Sequence, residues 1–135
     1  MTPKYALIEI ERRWLVDADQ LPDLSEVPVS EIEDRYISVN LRVRKVTRVG
    51  AVTYKMTRKY EFLSPLSRPI TNLYLAEEEY HSLMQLPGTN IHKRRYHIEG
   101  GALDVGDCYL VFEHEFSTQE EAASYVPPAF AGQEL

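Results

Sequence analysis

The sequence predicts an α+β domain, mainly antiparallel β, with short helices packed outside the sheet. Three observations predict it. Several stretches alternate apolar and polar residues at the period of a strand. A glycine turn signal joins two of them as a hairpin. The two helix-like stretches are short, and each ends at a proline. The chain of 135 residues fits one domain, 1–135, with one core and no internal repeat or linker.

The elements follow in order. Residues 4–16 form the first alternating stretch: Glu9, Glu11 and Arg13 share one face, and Ile8, Ile10, Trp14 and Val16 the other. Residues 17–30, with Pro22 and Pro28, read as a short helix plus loop. Residues 36–46 read as a strand, with Ile37, Val39, Leu41 and Val43 opposing Ser38, Asn40, Arg42 and Arg44. Gly50 marks a turn into a strand over 51–62, where Val52, Tyr54 and Met56 oppose Thr53, Lys55, Thr57 and Lys59. Residues 63–72, with Pro65 and Pro69, read as loop. Residues 76–86 read as a helix, with acids in the first turn and Pro87-Gly88 as its stop. Residues 91–98 place Lys93, Arg95 and His97 on one strand face, and Gly100-Gly101 reads as a turn. In 108–116, Cys108, Leu110, Phe112 and Phe116 oppose Glu113 and Glu115. Residues 117–126 read as a helix with Ser117 and Glu120 at capping-box spacing.

Composition narrows the class. No apolar run approaches a membrane span, and the acids near the N-terminus break any signal-peptide pattern, so the expected location is cytoplasmic, without a membrane partner. The single cysteine, Cys108, excludes an internal disulfide and a cysteine-rich zinc site. A formal net charge of −6 disfavours nucleic acid as a partner. An anion site here must be a local basic patch working against the global field.

Such a patch emerges by parity. One strand face collects Glu9, Glu11, Arg13, Arg42, Arg44, Lys55, Lys59, Lys93, Arg95, Glu113 and Glu115, including seven of the fifteen lysines and arginines. Exposed on a flat sheet, these would be solvated ion pairs of small worth. Turned inside a closed sheet, they would line a polar tunnel. Clustered carboxylates there suit Mg²⁺ or Mn²⁺, and clustered Arg and Lys suit a polyphosphate.

These motifs, in this order, resemble the CYTH superfamily, the triphosphate tunnel metalloenzymes. The resemblance is carried by EIERR (9–13), LRVR (41–44), TYKMT (53–57), NLYLAEEEYHSL (72–83), KRRY (93–96) and EHEF (113–116). It implies an antiparallel β-tunnel, closed or partly open, with short helices outside. It implies a small-molecule triphosphate as substrate and Mg²⁺ or Mn²⁺ as cofactor. The family includes triphosphatases and class IV adenylyl cyclases. The absence of an evident base-recognition insert favours a phosphohydrolase on inorganic or simple organic triphosphate. A catalytically degenerate polyphosphate or nucleotide-binding module is the alternative, and cyclase-like activity a second one.

Carried over by position, Glu9, Glu11, Glu113 and Glu115 would surround the metal. Arg42, Arg44, Lys55, Lys59, Lys93 and Arg95 would bind the substrate, and Glu11 and Arg13 would serve catalysis. Three departures stand out. Arg13 replaces the family's lysine and cannot act as a base. The family's aspartate before the last Glu-x-Glu strand corresponds to Asp104 or Asp107. The sequence stops at GQEL, with Glu134 as the counterpart of a further motif, so the tunnel is expected to be open on one side. Such an edge would invite pairing with a second copy as a homodimer. The histidines lack metal-ligand spacing, and only His97 joins the inner face, where a structural role is expected. Cys108 reads as a small core residue. Arg12, Lys45, Arg48, Arg58 and Arg94 read as solvated.

Overall fold

The computed structural model describes residues 2–135. In chain order these form β1 (Leu7–Val16), a 3-10 turn (Ala18–Gln20), β2 (Val29–Ser38), β3 (Leu41–Arg48), β4 (Ala51–Lys59), β5 (Ser67–Leu75), α1 (Glu77–Leu83), β6 (Thr89–Ile98), β7 (Gly101–Val105), β8 (Leu110–Phe116), α2 (Gln119–Ser124) and β9 (Ala131–Glu134). The sheet runs β5-β4-β3-β2-β6-β7-β8-β1-β9, and β1 also pairs with β5. Eight antiparallel strands therefore close into a barrel, and β9 extends the wall at β1. The predicted fold class is the one observed. No helix among the described residues is long and apolar enough to cross a membrane.

Closure depends on β1, which changes partner along its length. Leu7–Ile10 pair with Ile70–Ser67 of β5, while Trp14 and Val16 pair with Glu134 and Ala131 of β9. The backbone N–H of Glu11 donates to the Leu66 carbonyl, and that of Leu135 to the Arg13 carbonyl, so bonding continues between the two partners. The side expected to be open is thus sealed at β1–β5, and β9 forms the edge strand of the sheet.

Three strands lie where the sequence suggested otherwise. The stretch 36–46 is not one strand: it breaks at the Val39–Asn40 turn between β2 and β3, and Val39 is 86% exposed. β2 begins within the stretch read as helix plus loop. Its outer face carries Glu31, Glu33 and Arg35, so the apolar signal of a strand is missing. β5 occupies most of the stretch read as loop. Pro69 is tolerated there because it lies where β5 leaves β4 and turns onto β1: β4 pairs with Ile70–Leu75 and β1 with Ser67–Ile70. β7 starts at Gly101, directly after a tight turn.

The helices are shorter than their patterns. α2 is capped by Thr118, whose Oγ1 accepts from the Glu121 backbone N–H at 3.1 Å, one residue later than expected. Glu121 in turn accepts from the Ser117 backbone N–H at 3.2 Å.

The hydrophobic core lies outside the barrel wall. Trp14, Leu103, Phe112 and Phe130 are buried together, with Leu21, Leu24 and Tyr125 packed against them. The rings of Trp14 and Phe112 are 5.9 Å apart, and those of Phe112 and Phe130 meet edge-on at 5.2 Å. Alternation then fixes the inside. Arg13 and Glu113, one position from Trp14 and Phe112, point inward as a directly opposed pair. Two expectations fail on this outer side. Cys108 is exposed in the β7–β8 loop rather than in the core. Arg12 is not solvated: it donates to both carboxylate oxygens of Glu134 at 2.8 and 2.9 Å and to the carbonyls of Ala122 and Tyr125, clasping β9 and α2 to β1.

Candidate functional site

The barrel encloses a cavity of about 730 Å³. All eleven residues placed on one face by parity line it: Glu9, Glu11, Arg13, Arg42, Arg44, Lys55, Lys59, Lys93, Arg95, Glu113 and Glu115. The cavity has an acidic side on β1 and β8 and a basic side on β3, β4 and β5.

On the acidic side, Glu11 and Glu115 are direct neighbours across the β1–β8 ladder. Carboxylate oxygens of Glu9, Glu11 and Glu115 lie within 4.8 Å of one another. Glu113 is engaged otherwise: it accepts from Arg95 at 2.7 Å and lies 3.5 Å from the Arg13 guanidinium. Of the four acids, Glu9, Glu11 and Glu115 converge most closely, and Glu113 lies beside Glu11 while pairing with the arginines. Burial, followed by the negative charges of Glu113 and Glu9, pushes the Glu11 carboxyl up to about 8; Lys59 opposes the shift. Burial and the Glu9 charge also raise the Glu115 carboxyl. A group of carboxylates this crowded favours a shared cation, and its hard oxygen donors suit Mg²⁺ or Mn²⁺.

On the basic side, Arg44 forks both oxygens of Asp34 at 2.6 and 2.8 Å, and both side chains are almost wholly buried. Arg42 is 9% exposed and donates from Nη2 to Thr57 Oγ1 at 3.2 Å; Thr57 donates to Asn72 Oδ1 at 2.7 Å. The Nε of Arg42 is buried with no hydrogen-bond partner among the described residues. Burial and the neighbouring Arg44 charge lower the Arg42 pKa. Burial also lowers those of Lys55 and Lys59. Lys59 lies 3.9 Å from Glu9, bridging the two sides.

Between them sits a third group. Asp104 accepts from Lys93 at 2.7 Å and from Arg95 at 2.8 and 2.9 Å. Burial alone would raise its carboxyl; Arg95 and Lys93 outweigh burial and hold it below the usual range. Of the two aspartates the motifs offered, Asp104 is the one that meets these cations; Asp107 lies in the β7–β8 loop. Arg13 reaches the acids only at 3.5 and 3.6 Å, and its side chain is 51% exposed. His97 pairs with Ser30 Oγ at 2.9 Å, outside the cavity lining, in keeping with a structural role.

Sequence reasoning missed Asp34, Thr57, Arg68 and Asn72. Arg68 and Asn72 lie on β5, in the stretch read as loop, and Asp34 lies on β2, between the stretches that were assigned. The signal for Asp34 was present: Ser30, Ile32, Asp34 and Tyr36 alternate with Glu31, Glu33 and Arg35.

No protein-family model and no curated protein sequence matches the chain. Solved structures do. The inorganic triphosphatase NE1496 is 25% identical with a TM-score of 0.55, over 93% of this chain and 88% of that one. A structure described as the hypothetical protein NE1496 aligns over the same shares at 24% identity and the same TM-score. The PH1819 protein from Pyrococcus horikoshii OT3 aligns at 20% identity with a TM-score of 0.63, over 85% of this chain and 82% of that one, a likeness of fold. Together with the closed antiparallel barrel, these neighbours support the resemblance to the CYTH superfamily.

Proposed function

We propose that the chain is a metal-dependent phosphohydrolase acting on a triphosphate, inorganic or simple organic, held inside the barrel. The observation that carries this reading is the Arg42 guanidinium. It is buried in the cavity wall with one N–H unpartnered, across from three convergent carboxylates. A buried guanidinium without a carboxylate partner is costly, and a phosphate in the cavity would compensate its charge. The likeness to a structure described as an inorganic triphosphatase points the same way.

Glu9, Glu11 and Glu115 would hold Mg²⁺ or Mn²⁺, and the ion, when bound, would polarise a phosphoryl oxygen and lower the pKa of bound water. The protein's own residues do the remaining work. Cavity cations neutralise the phosphate charge as it builds up. The apolar outer shell of Trp14 and Phe112 keeps the β1–β8 ladder rigid, which holds Glu11 and Glu115 at a fixed separation. One observation favours the alternative of a binding module with little turnover. Arg13 stands in place of a lysine and is half exposed, and its guanidinium carries donors only, so it offers no proton acceptor beside Glu11.

Phosphate release from tripolyphosphate, thiamine triphosphate, ATP and pyrophosphate, each with Mg²⁺, Mn²⁺ or EDTA, tests the proposal. The expected result is release from a triphosphate that EDTA abolishes and that Glu11→Gln lowers at least about a hundredfold. Binding of tripolyphosphate without release would establish the binding module instead. Neither binding nor release would overturn both.

A further inference from the structure

The charges of the cavity are unevenly committed. On β6, Lys93 and Arg95 are both held by buried Asp104, and Arg95 also by Glu113. On β3, Arg44 is held by Asp34. Lys59 leans on Glu9 at 3.9 Å, and Arg13 on Glu11 and Glu113. Among the described residues, the cavity-lining cations with no carboxylate within ion-pair distance are Arg42, Lys55 and Arg68. They come from three adjacent strands, β3, β4 and β5.

We infer that a bound polyphosphate lies along this β3–β4–β5 wall, with Arg68 as a binding residue beyond those the motifs supplied. Lys93 and Arg95 then serve mainly as positioning residues that fix Asp104 and Glu113. The inference rests on the triphosphate reading above and specifies how that ligand lies.

Three observations support the placement. First, Arg68 is the register partner of Glu9 across the β1–β5 seam, so both point into the barrel on the same face. A phosphate held by Arg68 would sit beside the acid cluster, where a shared cation would bridge them. Second, the Arg68 guanidinium packs over the Phe62 ring at 4.6 Å, which restricts its orientation without consuming its hydrogen-bond donors. Third, Arg42 is aimed by the Thr57–Asn72 relay, which occupies Nη2 and leaves the guanidinium charge without a carboxylate partner. The opposite wall lacks this readiness. Arg44 and Arg95 each commit Nε and Nη2 to a buried aspartate, so their charge is already compensated and drawing the whole guanidinium onto a ligand would leave that aspartate unpaired. An anion therefore gains most from the cations that fold without a counter-charge.

The test is calorimetric titration of the full chain with tripolyphosphate and with ATP, in Mg²⁺. Arg68→Gln is expected to weaken tripolyphosphate binding about tenfold, the loss of one charge-assisted contact. Arg68→Lys recovers part of it, and Arg58→Gln, on the outer face of β4, leaves binding unchanged. The loss at Arg68→Gln exceeds that at Lys93→Gln. Melting temperatures without ligand establish folding; should Arg68→Gln not fold, Arg68→Met, which keeps the stem over Phe62, carries the same expectation. Binding by Arg68→Gln equal to that of the parent chain, or a larger loss at Lys93→Gln, overturns the inference while leaving the triphosphate reading intact. A parent chain that binds neither ligand overturns that reading, and this inference with it.

Discussion

Glu11 concentrates the chemistry of the cavity into one titration. Its carboxyl sits among Glu9, Glu113 and Glu115, and burial with the charges of Glu113 and Glu9 pushes its pKa up to about 8, far above the 4.5 of a free glutamate. Between those two values the folded chain holds a proton that the unfolded chain has released. Unfolding therefore becomes easier as pH rises through that window. The melting temperature of the metal-free protein is expected to fall from pH 5.5 to 8.5, and Glu11→Gln to flatten the profile. A divalent ion competes with the same proton, so the stabilisation by Mn²⁺ should grow as pH rises toward 8. Differential scanning fluorimetry across pH, with and without Mn²⁺, measures both. A stabilisation by Mn²⁺ that is independent of pH would detach the ion from Glu11.

At the scale of elements, the hairpins explain both what the sequence revealed and what it concealed. Two of them, β3–β4 and β6–β7, turn through Val49-Gly50 and Glu99-Gly100, with φ of 47° and 78° and of 54° and 71°. Positive φ at both central residues is the geometry that matches strand twist. Valine is a poor occupant of the left-handed region, and Val49 is 96% exposed, so nothing there rewards its side chain. Val49→Asn is expected to stabilise by about 1 kcal/mol, a rise of ~3–5 °C in melting temperature. An unchanged or lower melting temperature would mean that the turn does not hold this backbone in solution. Gly50 made one hairpin legible. The β2–β3 turn, Val39-Asn40, has no glycine or proline, and the two strands merged into a single apparent alternation. β5 was hidden by Pro69, whose place at a change of partner only the closed barrel reveals. The candidate site was more legible than the elements. Parity within a strand survives misjudged ends, so all eleven inward residues were correctly grouped. Parity says nothing of pairing between strands, which is why the ion pair of Glu113 with Arg95 was not legible.

At the scale of the whole molecule, the barrel is built inside out. Its apolar packing lies between the wall and the segments wrapped around it, and its interior holds charges in mutual compensation. The wall closes where β1 meets β5 over Leu7–Ile10, a short seam beside the longer ladders of β2 with β3 and with β6. Every partner of β1 lies far along the chain; its clasp from Arg12 to Glu134 spans 122 residues. The β2–β3 and β3–β4 pairs, in contrast, join immediate neighbours through tight turns. Loop-closure entropy predicts that the local hairpins assemble first and that β1 docks last, after the transition state. Ile10→Val, in the seam, should therefore speed unfolding and leave the refolding rate nearly unchanged, whereas Val43→Ala, in the β3 ladder, should slow refolding. Stopped-flow mixing reads both arms. On that predicted order the strand that carries Glu9 and Glu11 is the last to be secured, so the acid cluster, and with it any affinity for a divalent ion, is expected to arise only with the closed barrel.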